Sequence, residues 1–186
     1  MLPVLLLLMT LQNFVAAQPV ITVPNGETQG DWGPMEVCDE GTTAQGFQLK
    51  VEHGQGRLVD DTALNGISLL CTKTSSKKVV KIIRSTVGGF GSWGPVYWCN
   101  SEYFSNFSLR VESKVSRDST AANNIKFTCS DGSIKEGNGK NWGSYGPWSS
   151  DCGQGINGIQ TRVQPNQGFW KDDLSLTDVK FECRGN

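Results

Sequence analysis

Five aspartates recur at one place in a repeating pattern. Asp60, Asp61, Asp118, Asp172 and Asp173 each stand about ten residues ahead of a cysteine that ends an apolar segment. Paired carboxyl groups are the working parts of glycoside chemistry, spaced roughly 5–5.5 Å apart for retention and 6.5–9.5 Å for inversion. A threefold arrangement would gather these acids at one end of a molecule and offer such a pair. The competing reading is local: an aspartate before a strand caps a turn by accepting nearby backbone N–H groups. Capping carries more weight, because a turn is needed three times and an active site once.

Other chemistries find less support. His53 is the chain's one histidine and lies in the loop-like run His53-Gly54-Gln55-Gly56. No Gly-x-Ser-x-Gly phrase accompanies it, so a Ser-His-acid triad is not expected. One histidine and six paired cysteines leave no ligand set of useful spacing, so neither a metal nor another cofactor is expected. Trp98, Trp142, Trp148 and Trp170, with Asn and Gly around them, could present faces to a sugar or cover sheet edges. Asn106-Phe107-Ser108 is a glycosylation sequon. Lys73, Lys77, Lys78, Lys81 and Arg84 read as a solvated connection and an edge strand blunted by lysine.

The elements that must position these residues come in three copies. One phrase occurs as Gly30-Asp31-Trp32-Gly33-Pro34, Gly91-Ser92-Trp93-Gly94-Pro95 and Gly143-Ser144-Tyr145-Gly146-Pro147. Internal repetition of this kind fixes an architecture. Between phrases, Phe47-Gln48-Leu49-Lys50-Val51, Phe107-Ser108-Leu109-Arg110-Val111 and Ile159-Gln160-Thr161-Arg162-Val163 alternate apolar with polar, the mark of a strand with one buried face. A further strand ends at Cys71, Cys129 and Cys183. With an apolar run ahead of each phrase, every unit offers about four strands and hence one sheet. The recurring aromatics Trp32, Trp93 and Tyr145 are expected to plug the gap between sheets.

Six cysteines allow fifteen pairings. The repeat selects Cys38–Cys71, Cys99–Cys129 and Cys152–Cys183, one bridge per unit. The second cysteine of each pair shares parity with a core row such as Ile125, Phe127, Cys129, so each bridge should face inward. The predicted fold is all-β: three four-stranded sheets turn their apolar faces to one another about a pseudo-threefold axis, a three-sided prism. A β-trefoil ranks second, having shorter units without an internal staple.

Residues 1–17 read as a signal peptide. They hold no charged side chain, an apolar core Val4-Leu5-Leu6-Leu7-Leu8-Met9 and the ending Val15-Ala16-Ala17. Residues 18–186 then form one domain, in units of about 18–75, 76–131 and 132–186. Seventeen basic residues against eighteen acidic give no basic face for nucleic acid. No later segment is apolar enough to span a membrane.

Taken together, the threefold Gly-x-aromatic-Gly-Pro…Cys phrase, the strand Gly46-Phe47-Gln48-Leu49-Lys50-Val51-Glu52 and the run Asp60-Asp61-Thr62-Ala63-Leu64-Asn65-Gly66-Ile67 resemble the vitelline membrane outer layer protein I family over nearly all of residues 18–186. The resemblance implies a β-prism of three Greek-key sheets, secretion, and a structural or protective place in an extracellular coat among glycoproteins or glycans. It also implies, as alternatives, carbohydrate binding or a weak lysozyme-like transglycosylase activity on chito-oligosaccharides.

Overall fold

The computed structural model describes residues 17–52, 64–73, 76–112, 122–165 and 176–185. The segment read above as a signal peptide lies outside them, apart from Ala17. Three long hairpins dominate: β4 (Thr42–Val51) with β5 (Leu64–Lys73), β9 (Phe104–Val111) with β10 (Ala122–Cys129), and β13 (Ile156–Val163) with β14 (Leu176–Cys183), all antiparallel. Short strands complete them: β1 (Val20–Ile21), β2 (Asp31–Trp32), β3 (Glu36–Val37), β6 (Val79–Ile83), β7 (Ser92–Trp93), β8 (Tyr97–Trp98), β11 (Ile134–Glu136) and β12 (Ser144–Tyr145).

Sheet 1 runs β6-β5-β4-β7 with β8 also on β4, sheet 2 runs β11-β10-β9-β12, and sheet 3 runs β1-β14-β13-β2 with β3 also on β13. In sheet 1 three consecutive strands form a meander and the fourth returns beside the first, a Greek key; sheet 2 repeats it. The fold is thus the all-β prism of three sheets. The expectation that each unit closes its own sheet is corrected, however. Every sheet takes its central hairpin from one unit and its edges from the next, and sheet 3 joins strands from both ends of the chain. The physical reason is that neighbouring strands pair locally. β5 pairs antiparallel with β6, the next strand in the chain, so the unit boundary falls between two paired strands, and a repeat in sequence does not say where its period starts.

This exchange gives the disulfides their role. Cys38 follows β3 of sheet 3 and bonds Cys71 of β5 in sheet 1; Cys99 follows β8 of sheet 1 and bonds Cys129 of β10 in sheet 2; Cys152 is hydrogen-bonded to Ser105 of sheet 2 and bonds Cys183 of β14 in sheet 3. Each bridge lies within one unit of sequence yet crosses between two sheets. Together they close a ring, sheet 3 to 1, 1 to 2 and 2 to 3.

The inward rows meet on the axis. Phe47, Phe104, Phe107, Phe127, Phe181, Leu49, Ile67, Leu69, Leu109, Ile125, Ile159 and Val179 are fully buried. Phe127 of sheet 2 lies 4.8 Å from Phe47 of sheet 1 and 5.3 Å from Phe181 of sheet 3, centroid to centroid. The phrases lock the edges. Their first glycines, Gly30, Gly91 and Gly143, have φ of 85°, 79° and 72°. In each case a Cβ would strike the backbone at the end of the alternating strand, at Val163, Val51 and Val111. The second glycines donate N–H to Thr161, Leu49 and Leu109 at 2.9, 2.8 and 3.0 Å. Only glycine permits both the left-handed angle and the close approach.

Candidate functional site

The five aspartates fall in the segments 53–63, 113–121 and 166–175, outside the described residues, as do His53 and Trp170. Those segments leave their sheets at equivalent pairs: Val51 opposite Leu64, Val111 opposite Ala122 and Val163 opposite Leu176. Among the described residues no group of three His, Cys, Asp or Glu could hold a metal, and no helix is long and apolar enough to cross a membrane.

The recurring aromatics do not pack in the core, which corrects the expectation. Trp32 pairs with Arg162, Trp93 with Lys50 and Tyr145 with Arg110. Cross-strand partners share a face, and those basic residues alternate with the core row, so the rings lie on the outer surface. Cations cover them. Arg162 and Lys180 sit 4.7 and 4.3 Å from the Trp32 ring, Arg84 sits 5.0 Å from Trp93, and Arg110 and Lys126 sit 4.5 and 4.2 Å from Tyr145. A ring quadrupole attracts a cation at these distances. Trp98 lies flat on Gly46, where a Cβ would come within 2.8 Å of its ring. Trp142 and Trp148 are exposed, beneath Lys140 and Lys126 respectively.

The residue that carries one of these rings, Tyr145, lines a cleft. Tyr145, Ser144 and Gly146 of sheet 2 face Asn25, Gly26 and Glu27, which follow β1 of sheet 3; Val111 and Glu112 close the end, and the cleft measures about 390 Å³. The second glycine of the third phrase makes room, for a Cβ on Gly146 would run into the Asn25 amide. Asn25 Nδ2 donates to the Leu109 carbonyl at 2.8 Å, tying the two sheets, while its Oδ1 is enclosed without a partner among the described residues. The Tyr145 hydroxyl donates to Glu136 Oε1 at 2.9 Å. Burial, and then Glu136, push the phenol above its ordinary value, so it stays protonated. The cleft therefore brings together an aromatic residue, a serine hydroxyl and two carboxylates. No short motif could have announced it, because its residues lie far apart in sequence.

Behind the cleft, the Asp178 carboxyl rests against Gly26. Burial raises it to about 6, against the pull of the Val179 N–H, Arg162 and Lys180. A carboxyl raised on folding loses stability when it ionises. The cost is absent below pH 3.8, grows toward about pH 6 and is complete above it. Asn124 holds the equivalent place in sheet 2, and its Oδ1 accepts the Ile125 N–H as Asp178 Oδ1 accepts Val179. Asp178→Asn is therefore expected to stabilise the domain near neutral pH by on the order of 1 kcal/mol, allowing for the solvent that reaches this group. Below pH 3.8 the gain should vanish. Urea midpoints at the two pH values check this; an equal shift at both would refute the assignment.

Comparison with known proteins places this architecture. A family model described as vitelline membrane outer layer protein I matches residues 19–185. The chain belongs to the vitelline membrane outer layer protein I family. Relatives in the family include the vitelline membrane outer layer protein 1 homologs of Mus musculus and Homo sapiens. The mouse protein is 45% identical, over 88% of this chain and 82% of its own length. The human protein is 42% identical, over 96% of this chain and 93% of its own length. Membership and three disulfides are consistent with an extracellular protein. Among solved structures the chain is similar in fold to Calsepa lectin in complex with bisected glycan, with TM-score 0.58 and 17% identity over 92% of this chain and all of that one. It is also similar to Calystegia sepium agglutinin, with TM-score 0.57 and 14% identity over 92% and 99%. At these identities the likeness concerns the fold, and it extends the β-prism of this family member to the β-prism of lectins.

Proposed function

We propose that this chain is a secreted, carbohydrate-binding component of an extracellular coat and that it takes a saccharide in the cleft between sheets 2 and 3. The cleft carries this reading. Tyr145, Ser144, Glu27 and Glu112 all line it, so an aromatic residue, a hydroxyl and two carboxylates converge there. Support comes also from the fold, which recurs in a lectin solved in complex with a bisected glycan. The coat role rests on the family's name and on the ring of bridges, which suits a protein that must persist outside cells among glycoproteins.

A glycan array with the oxidised protein should return bound saccharides. Tyr145→Ala is expected to weaken the strongest of them at least tenfold, about 1.4 kcal/mol. Trp93→Ala, which removes the equivalent ring of sheet 1, should leave binding unchanged. An empty array, or equal affinities for Tyr145→Ala and the parent, would contradict the proposal.

A further inference from the structure

On its outer face sheet 2 departs from both counterparts at Asn106. Gly46 of sheet 1, opposite Leu70, and Gly158 of sheet 3, opposite Glu182, are equivalent to Asn106 of sheet 2, opposite Thr128. In sheets 1 and 3 a side chain occupies the space above the glycine: Trp98 pairs with Gly46 and Val37 with Gly158. A Cβ there would meet the Trp98 ring at 2.8 Å or the Val37 methyl at 3.1 Å. Sheet 2 carries a full side chain at this place because the chain above it is built differently. Four residues separate Pro147 from Cys152, where three separate Pro34 from Cys38 and Pro95 from Cys99. The longer arch is anchored on either side of Asn106, by Ser149 N–H to Phe107 O at 2.9 Å and Cys152 N–H to Ser105 O at 2.7 Å. Between the anchors stand Ser150 and Asp151, both exposed. Asn106 Oδ1 is enclosed and has no partner among the described residues, and Nδ2 is not among the enclosed atoms.

We propose that Asn106 carries an N-linked oligosaccharide and that it is attached before sheet 2 closes. The sequon Asn106-Phe107-Ser108 supplies the acceptor. In the reaction, Nδ2 exchanges one hydrogen for a bond to the anomeric carbon of a lipid-pyrophosphate-linked oligosaccharide. The bond from that carbon to the pyrophosphate breaks, and lipid pyrophosphate leaves with the proton released to solvent. The folded chain cannot enter the transferring enzyme. Phe107 is fully buried, 4.7 Å from the Phe181 ring, and Ser108 is 1% exposed with its hydroxyl donating to Gly146 O at 2.7 Å. Both must be free when the sugar is added. They are free until β10 and β12, which follow β9 in the chain, have been made and have paired with it. Once folding is complete, Nδ2 of Asn106, the atom that would bear the sugar, is not among the enclosed atoms of the outer face. The saccharide cleft begins near Val111, five residues away or about 17 Å along a strand, so the attached sugar and a bound saccharide are separate.

The full chain, secreted from a eukaryotic cell, should show by mass spectrometry a glycopeptide spanning Asn106. Digestion with an amidase that cleaves the Asn–sugar bond should remove the added mass and leave that residue deamidated. Asn106→Gln should be secreted, folded and free of sugar, since the side chain makes no hydrogen bond among the described residues that would be lost. Ser108→Thr should keep the sugar. The unglycosylated protein, refolded and given the transferase and its donor, should remain unmodified, while its reduced and unfolded form is modified. A secreted parent protein with unmodified Asn106, or a sugar that survives in Asn106→Gln, would overturn the site. Equal modification of folded and unfolded chains would overturn the timing. None of these outcomes depends on the cleft.

Discussion

Reducing all three disulfides is expected to unfold this domain at body temperature. The bridged cysteines are 33, 30 and 31 residues apart. In the chain-entropy account a loop of this length stabilises by about 3–4 kcal/mol. Three of them amount to about 10 kcal/mol, comparable with the 5–15 kcal/mol that separates typical folded and unfolded domains. Topology adds to this. Sheets 1 and 2 are each built from one continuous stretch of chain, whereas sheet 3 joins residues 20–37 to residues 156–183. The bridges Cys38–Cys71 and Cys152–Cys183 hold those two stretches to sheets that can form first. Far-UV circular dichroism and tryptophan fluorescence, with and without reductant, provide the measurement. A reduced protein that keeps a cooperative thermal transition within a few degrees of the oxidised one would show that the ring is not what holds the prism together. Single-bridge removals sharpen the test. Loop length alone predicts equal losses, while the sheet topology predicts that Cys99→Ala with Cys129→Ala, which joins the two continuous sheets, is the mildest.

The same interchange of strands explains what the sequence discloses and what it withholds. Alternation in Phe47–Val51 and its two copies is long enough to assign an inner row, and the parity of Ile125, Phe127 and Cys129 carries each second cysteine to that row. Prism, core and disulfide pairing are therefore legible. The phase of the repeat is not, since a period can be cut anywhere, and the hairpin from β5 to β6 crosses the cut. The phrases mislead for a related reason. A two-residue strand such as Ser92–Trp93 has no alternation of its own, so the side of its aromatic depends on the strand it joins. One signal was present: a basic residue, Lys50, Arg110 or Arg162, stands at the same step of every alternating strand, and a recurring cation is a natural neighbour for a recurring ring on a wet face. The cleft is a harder case. Asn25, Glu112 and Ser144 come from three separate stretches of the chain, and only the packing of sheet 2 against sheet 3 brings them together.

Phe127→Ala should be among the most damaging core substitutions, with an expected loss of about 3–5 kcal/mol. The ring is fully buried and touches aromatic rings of every sheet: Phe47 of sheet 1 at 4.8 Å, Phe104 and Phe107 of its own sheet at 4.8 and 6.4 Å, and Phe181 of sheet 3 at 5.3 Å. Removing it leaves a cavity on the axis that no single sheet can collapse to fill, because the three bridges fix the sheets at their margins. Ile83→Val, at the edge strand β6, shortens a buried side chain and should lose only about 0.5–1.5 kcal/mol. Urea denaturation of both variants measures the difference, and a loss below about 1.5 kcal/mol for Phe127→Ala would mean that the core relaxes into the gap. Hydrogen exchange separates two further cases. If the ring is a shared hub, amides of β4, β9 and β13 lose protection together, as parts of one cooperative unit. If exchange quickens in β9 and β10 alone, the sheets hold their own stability, and the prism is three modules clamped by sulfur rather than one core.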